Sequence, residues 1–311
     1  GWYLYNFRFK LIKSLSKKYY VILVFPFDNY SNHLKEIGCE IINWKLKRNS
    51  INPFAELLSI FDLAITYWKV KPEIAHHFTI KPCLYGTIAG RIIGLKKIFN
   101  AITGLGHVFL AQNINAFIYK IVMVSIYRKV FNHSSSYLIF QNIEDKKFFQ
   151  NLKIITKDKS FLIKGSGVDV NYYKREKEIR KIDLKETIKI FFPSRIIKEK
   201  GVIELVEACQ TLVDENIDLN LYIPSDLSFH NRSILTKREI EKLRNKSWIK
   251  LLGQLSDLKP YYENSHIIIL PSWREGLSMS LLEASSMECS IITTNVPGCI
   301  DIVKHGESGL L

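Results

Sequence analysis

The sequence predicts an α/β protein of two domains, each built around a parallel β-sheet of the Rossmann type. Short apolar runs rich in β-branched and aromatic residues alternate with helix-like segments along the whole chain, which is typical of parallel α/β layers. The chain has 311 residues, 47% of them hydrophobic, enough for two separate cores. Gly165 and Gly167, followed by a charged stretch, mark an interdomain connector. We therefore expect domains at 1–165 and 187–311 that face a cleft, with a connector at 166–186.

In the first domain, each predicted strand is a short apolar run that ends at a proline, a glycine or a polar turn. The first run stops at Pro26, and the helix after it ends before Gly38. The predicted strands are residues 19–25, 40–42, 74–78, 97–102, 137–140 and 161–163. The first predicted helix begins near Tyr5. The other predicted helices are residues 30–37, 53–70, 82–93, 114–130 and 144–151.

The second domain repeats this alternation. An apolar-periodic helix is predicted from Ile203, and another at 281–287. The predicted strands are residues 188–192, 219–223, 249–252, 267–270 and 291–294.

The chain is strongly basic, with 44 lysines and arginines against 30 acidic residues and a formal charge of +14. Such an excess favours polyanionic partners. Lys10, Lys13 and Lys17 recur at helical spacing, so one face of the first helix is basic, and an anionic membrane surface is the expected partner. Nucleic acid is not expected, because the chain has no recognition motif for it.

The cysteines and histidines do not predict a metal site. The five cysteines are scattered, without a C-x-x-C pair or metal-like histidine spacing, which favours reduced thiols. No apolar stretch approaches the roughly 20 residues needed to span a bilayer.

The segment 271–283 is the most informative for function. It follows the apolar run 267–270, precedes a helix, and carries Glu275 and Glu283 eight residues apart. Ligands of α/β sheets bind at such strand-to-helix turns, against a helix N-terminus. The amides of Gly276, Leu277 and Ser278 are candidate donors to a sugar hydroxyl or a phosphate.

The spacing of the two carboxylates limits the chemistry. If the segment is mostly helical, eight residues place them about 12 Å apart along the axis. The paired carboxylates of glycosidases lie roughly 5 to 9.5 Å apart, so this spacing does not suit a glycosidase acid and nucleophile. The two carboxylates fit better as separate contacts to one elongated, hydroxyl-rich ligand. The alternative is structural: an acid favoured by the helix dipole and a solvated glutamate.

A second strand-to-helix loop carries Arg195, Lys200 and Gly201 after the run 188–192. Two cations beside a glycine that allows close backbone approach suit a diphosphate. Fixed cations stabilise the charge that develops on a departing nucleoside diphosphate. The alternative is a solvated charged turn at 198–200.

Together these motifs resemble those of retaining, GT-B-fold glycosyltransferases, in particular glycosyltransferase family 4. Glu275 and Glu283 match the family's E-x7-E motif, and Arg195, Lys200 and Gly201 match its R-x4-K-G pattern. Other segments match the family's pattern in the same order along the chain. They are 270–272, 282–284, 296–298, 301–303 and 306–310. The resemblance covers nearly the whole chain and is strongest to enzymes of bacterial surface polysaccharide, lipopolysaccharide and lipid-linked oligosaccharide synthesis.

The resemblance implies roles for these residues. Glu283 is expected to hold the donor ribose, and Glu275 to lie near the transferred sugar with the amides of 276–278. Arg195 and Lys200 are expected to bind the diphosphate. No protein nucleophile is expected, because in such families the acceptor attacks on the face that the leaving group vacates. No metal is expected, since the two cations do the work of a bound Mg²⁺. The nucleotide sugar is a substrate, so no cofactor is expected either.

The acceptor side is expected in the first domain, in loops that end two strands. The candidates are Thr103, Gly104 and His107, the last in place of a histidine that many relatives carry at the position of Thr103. One of His76 and His77 is expected to be a buried, hydrogen-bonded imidazole.

By comparison with the family, a strand before the first helix and helices after the last motif are expected to be missing.

The expected function is transfer of a hexose or N-acetylhexosamine from a nucleotide diphosphate donor, UDP-linked, to a lipid-linked or saccharide acceptor. The expected place is the cytoplasm, at the inner face of the cell membrane. Two alternatives stay open: a non-hydrolysing nucleotide-sugar epimerase on the same fold, and an inactive basic module that binds membranes or polyanions.

Overall fold

The computed structural model describes residues 1–46, 52–104, 114–176, 185–225 and 234–311, with only the backbone described for 114–118. The chain divides into two compact units, Gly1–Ser166 and Gly167–Leu311. Every strand pairing within the sheets is parallel, which confirms the predicted fold class. The described part of the predicted connector packs on the second unit, where Arg175 Nε donates to the carbonyl of Met287 at 2.7 Å.

The first unit contains six described strands. They are β1 (Ile22–Phe25), β2 (Glu40–Asn43), β3 (Ala75–Phe78), β4 (Ile98–Ile102), β5 (Ser136–Phe140) and β6 (Ser160–Leu162). One sheet pairs β1 with β2, and the other has the order β3-β4-β5-β6. The first strand starts later than predicted because Tyr19 and Tyr20 are 64% and 82% exposed, outside the core.

The helices of the first unit alternate with these strands. They are α1 (Trp2–Leu15), α2 (Ser31–Lys35), α3 (Pro53–Val70), α4 (Ile80–Ile92), α5 (Ile114–Phe131) and α6 (Ile143–Asn151). The predicted bounds of α3 are confirmed, and its N-cap is Asn52, whose side chain accepts from the amide of Phe54 at 3.0 Å. Helix α1 ends before Lys17, so only Lys10 and Lys13 of the predicted basic face lie on it.

A polar network is buried between β3, β4, α3 and α4. His77 is the buried imidazole expected at this strand end: Nε2 lies 2.6 Å from Tyr67 Oη, and Nδ1 lies 2.8 Å from Asn100 Oδ1. Burial lowers the pKa of His77 to about 4, so the ring is neutral at pH 7. Gly86 leaves room for this ring, because a Cβ there would lie 2.3 Å from His77 Nε2. His77 is therefore a structural residue.

In its described residues, the second unit has one five-stranded sheet with helices between the strands. The strands are β7 (Ile188–Phe191), β8 (Leu219–Ile223), β9 (Ile249–Leu251), β10 (Ile267–Leu270) and β11 (Ser290–Thr293), in the order β11-β10-β7-β8-β9. The helices are α7 (Val202–Asp214), α8 (Lys237–Arg244), α9 (Lys259–Asn264) and α10 (Met279–Ser286). Its core is apolar and includes Phe191, Leu221 and Ile268, each 0% exposed.

Candidate functional site

The strand order of the second unit places a switch point between β7 and β10. From β7 the chain proceeds outward through β8 and β9, then returns to pair β10 with the other side of β7. Open α/β sheets bind their ligands outside the carboxyl ends of the strands at such a reversal. The loops that follow β7 and β10 carry the two motifs predicted from the sequence, so both motifs border one crevice.

Backbone contacts hold these two loops together. The amide of Trp273 donates to the carbonyl of Glu199 at 2.9 Å. Gly201 has a φ of +72°, and a Cβ at this position would lie 2.0 Å from the carbonyl oxygen of Pro271. Only glycine allows this left-handed conformation and this approach together.

Glu275 and Lys200 form an ion pair across the two loops. The same Glu275 Oε1 accepts a hydrogen bond of 2.7 Å from Ser272 Oγ, and the amide of Glu275 donates to Pro297 O at 3.2 Å. The side chains of Lys200 and Glu275 are 21% and 11% exposed, so the pair is partly desolvated. Such a pair holds a cation and a carboxylate in fixed positions where the two loops meet.

The other predicted residues of the two loops have distinct environments. Arg195 is half-buried in the loop after β7. Ser278 is buried and is the N-cap of α10, where its Oγ accepts from the amide of Leu281 at 3.4 Å. Leu277 is 9% exposed, so its side chain belongs to the interior and only its backbone can serve a ligand. Gly276 is half-buried between Glu275 and Leu277.

Glu283 lies inside α10, where Tyr262 Oη donates to its Oε2 at 2.9 Å. Tyr173 also donates to this carboxylate. Burial outweighs the two hydrogen bonds, and Asp257 adds like charge, so the pKa of Glu283 rises to about 7. The carboxyl therefore titrates near neutral pH.

The structure corrects one expectation about the two glutamates. The segment between them is not mostly helical, since α10 starts at Met279, four residues after Glu275. Of the eight residue steps from Glu275 to Glu283, four are in the loop. The four in the helix rise about 6 Å along its axis. The axial distance of a continuous helix therefore does not apply, although Glu275 and Glu283 do lie on either side of the α10 N-terminus.

Sequence reasoning missed the residues that support these carboxylates: Ser272, Tyr173 and Tyr262. Tyr262 is 0% exposed and belongs to α9, a six-residue helix without a strong periodic pattern. Tyr173 lies in the predicted connector and packs edge-on against Tyr262, with ring centroids 6.2 Å apart. Of these three residues, only Ser272 could have been predicted from the sequence, from its position in the loop directly after β10.

The acceptor-side candidates belong to the first unit. Thr103 and Gly104 directly follow β4, at the carboxyl edge of its sheet, and both are half-buried. His107 lies outside the described residues.

Replacing Gly201 with alanine tests the close approach of the two loops. Gly253 is the matched control, since its φ is also +72° but, among the described residues other than its chain neighbours, no atom lies within 4 Å of an added Cβ. We expect Gly253→Ala to lower the free energy of unfolding by about 1–2 kcal/mol, the cost of a left-handed alanine. Gly201→Ala should lose about 1–3 kcal/mol more through overlap with Pro271. Urea denaturation measures both, and equal losses would contradict the contact.

Comparison with known proteins identifies the class to which this chain belongs. The second unit matches the family Glycosyl transferases group 1 over residues 174–311, and the first matches Glycosyl transferase 4-like over residues 2–142. The chain is therefore a glycosyltransferase of the GT-B fold. It belongs to the family that its motifs resemble, glycosyltransferase family 4.

Individual relatives and structures agree with this class. The chain is 25% identical, over 99% of its length and 81% of the relative, to the N,N'-diacetylbacillosaminyl-diphospho-undecaprenol alpha-1,3-N-acetylgalactosaminyltransferase of Campylobacter jejuni. It is 24% identical, over 84% of its length and 68% of the relative, to the UDP-Gal:alpha-D-GlcNAc-diphosphoundecaprenol alpha-1,3-galactosyltransferase of Escherichia coli. The fold matches that of Anabaena HepE in complex with UDP-glucose, with a TM-score of 0.72, 16% identity, and coverage of 98% of this chain and 81% of HepE.

Across the described parts of the chain, no helix combines the length and apolar character that crossing a bilayer requires.

Proposed function

We propose that the protein transfers a hexose or N-acetylhexosamine from a UDP-linked donor to a lipid-linked saccharide acceptor, with retention of configuration at the sugar. The observation that carries this proposal is the Lys200–Glu275 pair at the switch point of the second sheet, with Arg195 in the same loop as Lys200. In the proposed reaction, Lys200 and Arg195 supply fixed positive charge to the departing diphosphate, and Glu275 supplies a carboxylate beside the sugar.

The positive charge is the catalytic element of this proposal. When the bond between the sugar C1 and the diphosphate breaks, the electron pair goes to the β-phosphate oxygen. Lys200 and Arg195 stabilise that charge without reorganising, in a crevice partly shielded from water. We infer that these cations provide what a bound metal ion would otherwise provide, so no metal is required.

In this proposal the two carboxylates hold the donor at both ends. Glu283 binds the ribose hydroxyls, as acidic residues do in dinucleotide sites. Glu275 orients the transferred sugar, assisted by the amides of residues 276–278 at the start of α10. Glu275 already accepts from Ser272 and pairs with Lys200, which makes it a weak nucleophile.

This engagement of Glu275 supports a mechanism without a covalent intermediate. The acceptor hydroxyl approaches C1 on the face that the diphosphate leaves. Its oxygen bonds to C1, and its proton passes to the departing phosphate oxygen. Configuration is thereby retained with no protein nucleophile.

The names of the two enzyme relatives support the acceptor class, because both contain a diphospho-undecaprenol carrier. We infer that Thr103 and Gly104, with His107, help to receive the acceptor saccharide. A carrier of this kind is anchored in a bilayer, so the proposed place of action is the inner surface of the cell membrane.

A panel of nucleotide sugars tests the proposal. With a polyprenyl-diphosphate-linked saccharide present, one UDP-sugar should give a longer lipid-linked product that mass spectrometry detects. The same donor without acceptor should be recovered with its sugar unchanged. Conversion of the donor alone to an epimer would favour the epimerase alternative and contradict the proposal.

A further inference from the structure

Helix α3 has two opposite apolar faces, and only one of them is covered. The covered face, with Ile60, Leu63 and Tyr67, packs in the core beside Ala75 and Ile98. The uncovered face consists of six large apolar residues. Their exposed fractions are Phe54 78%, Leu57 51%, Leu58 69%, Phe61 57%, Ile65 54% and Trp68 66%.

These six residues form one continuous stripe. At 100° per residue they fall within an arc of about 100°, and from Phe54 to Trp68 they extend about 21 Å along the axis. Contiguous exposed apolar surface of this kind marks an interaction site in soluble domains. We call these six residues the α3 stripe.

The acidic residues of α3, Glu56 and Asp62, are half-buried and engaged by groups outside the stripe. Glu56 pairs with Lys81 at 2.9 Å and accepts from Tyr85. Asp62 accepts from the backbone amide of Lys45 at 3.0 Å. Lys69 is the charged residue of α3 that is exposed beside the stripe.

Basic residues surround the end of the stripe at Trp68. A cavity of about 540 Å³ at the amino-terminal edge of the sheet is lined by Trp68 together with Lys71, Lys96 and Lys97, with Glu73 as its acid. Three lysines against one glutamate leave this surface positive. An aromatic ring beside exposed lysines is the arrangement found at membrane–water interfaces.

We propose that α3 docks the protein on an anionic lipid bilayer. The α3 stripe enters the boundary between headgroups and acyl chains, while Lys69, Lys71, Lys96 and Lys97 bind lipid phosphates. The stripe contains one polar atom, the indole N–H of Trp68, so it suits a lipid phase better than a specific protein partner. A second copy would bring the same lysines with it.

This surface differs from the basic face expected on α1. The apolar side of α1 is occupied, since Leu4, Tyr5 and Phe9 pack against the core of β1 and α2. The exposed apolar surface beside Lys10 and Lys13 is that of Leu11, at 39%, and does not form a stripe like that of α3. The biological reason for docking rests on the proposed lipid-linked acceptor, but docking itself requires no transfer.

Vesicle co-sedimentation of the whole chain tests the proposal. The wild type should bind phosphatidylglycerol/phosphatidylcholine vesicles and lose affinity as salt increases. The double variant Phe61→Glu/Trp68→Glu should bind at least about tenfold more weakly. Lys96→Glu/Lys97→Glu should lose about fivefold or more per charge on anionic vesicles and should not change binding to neutral ones.

Matched substitutions in the second unit are the controls. Leu212 on α7 is 37% exposed and Lys242 on α8 is exposed, and both belong to the other unit. Leu212→Glu and Lys242→Glu should bind vesicles like the wild type. Transfer to a water-soluble acceptor should be unchanged in the stripe variants, which separates docking from the proposed reaction.

Three outcomes would overturn the proposal. The first is that the wild type does not bind anionic vesicles. The second is that the stripe variants bind them as well as the wild type does. The third is that sedimentation equilibrium shows a wild-type dimer that Phe61→Glu/Trp68→Glu converts to a monomer, which would make a second copy the occupant.

Discussion

Lys200→Ala is expected to lower kcat/KM for glycosyl transfer by about 10²–10³, the usual loss when one preorganised charge-stabilising group is removed. The loss should appear mainly in kcat, because the charge on the diphosphate grows as the sugar bond breaks. Arg195→Ala, in the same loop, should lose a similar factor. Steady-state kinetics with the preferred UDP-sugar measures both.

Lys198→Ala is the matched control for this prediction. Lys198 lies two residues before Lys200 in the same turn but pairs with Glu239 at 2.9 Å instead of Glu275. Its removal should leave kcat/KM close to wild type. Melting temperatures of all variants establish that the assay is run on folded protein, since Lys200→Ala also removes the ion-pair partner of Glu275. Near wild-type turnover by Lys200→Ala would refute its role in stabilising the leaving group.

Glu283→Gln is expected to weaken donor binding by about 10- to 100-fold at pH 8, the range for losing a hydrogen bond to a charged group. In the wild type, donor affinity should fall about tenfold per pH unit below 7, because the raised pKa of Glu283, about 7, leaves less of the carboxylate form for the ribose. Isothermal titration calorimetry with a UDP-sugar, whose diphosphate stays ionised in this range, measures the slope. The glutamine variant should show no such slope.

The same pKa makes a prediction about stability. Since the pKa of Glu283 is higher in the folded protein than its ordinary value of 4.5, the folded state holds the proton more tightly. Its contribution to stability is complete below pH 4.5 and is lost as the pH rises through about 7. Relative to wild type, Glu283→Gln should therefore gain melting temperature from pH 5 to pH 8. Glu241→Gln, at an exposed position of α8, should show no such trend.

Most of the fold could be predicted from the sequence because its elements have strong local patterns. Helix α3 carries a proline at its first position after an asparagine cap, and its bounds are as predicted. Helices α8 and α9 were missed because they are short and polar. A signal existed for α8, since Thr236 and Glu239 form a capping box, but it precedes no long apolar run.

The candidate site was only partly predictable, for a physical reason. Lys200 and Glu275 each follow an apolar strand, so the sequence places each at the carboxyl edge of a sheet. That β7 and β10 are neighbours is a property of strand order, which no local pattern specifies. The support of Glu283 by Tyr173 and Tyr262 joins three distant segments, and the resulting pKa depends on burial that only the folded chain creates.

The affinities for UDP and for uridine at pH 8 test the central claim most directly. That claim is that cations at one end of the crevice and Glu283 at the other hold the two halves of the donor. Wild type should bind UDP about tenfold or more tightly than uridine. Lys200→Ala should lose most of this difference with uridine affinity unchanged, while Glu283→Gln should weaken both ligands equally. Unchanged preference for UDP in Lys200→Ala, or loss of preference in Glu283→Gln, would contradict the account.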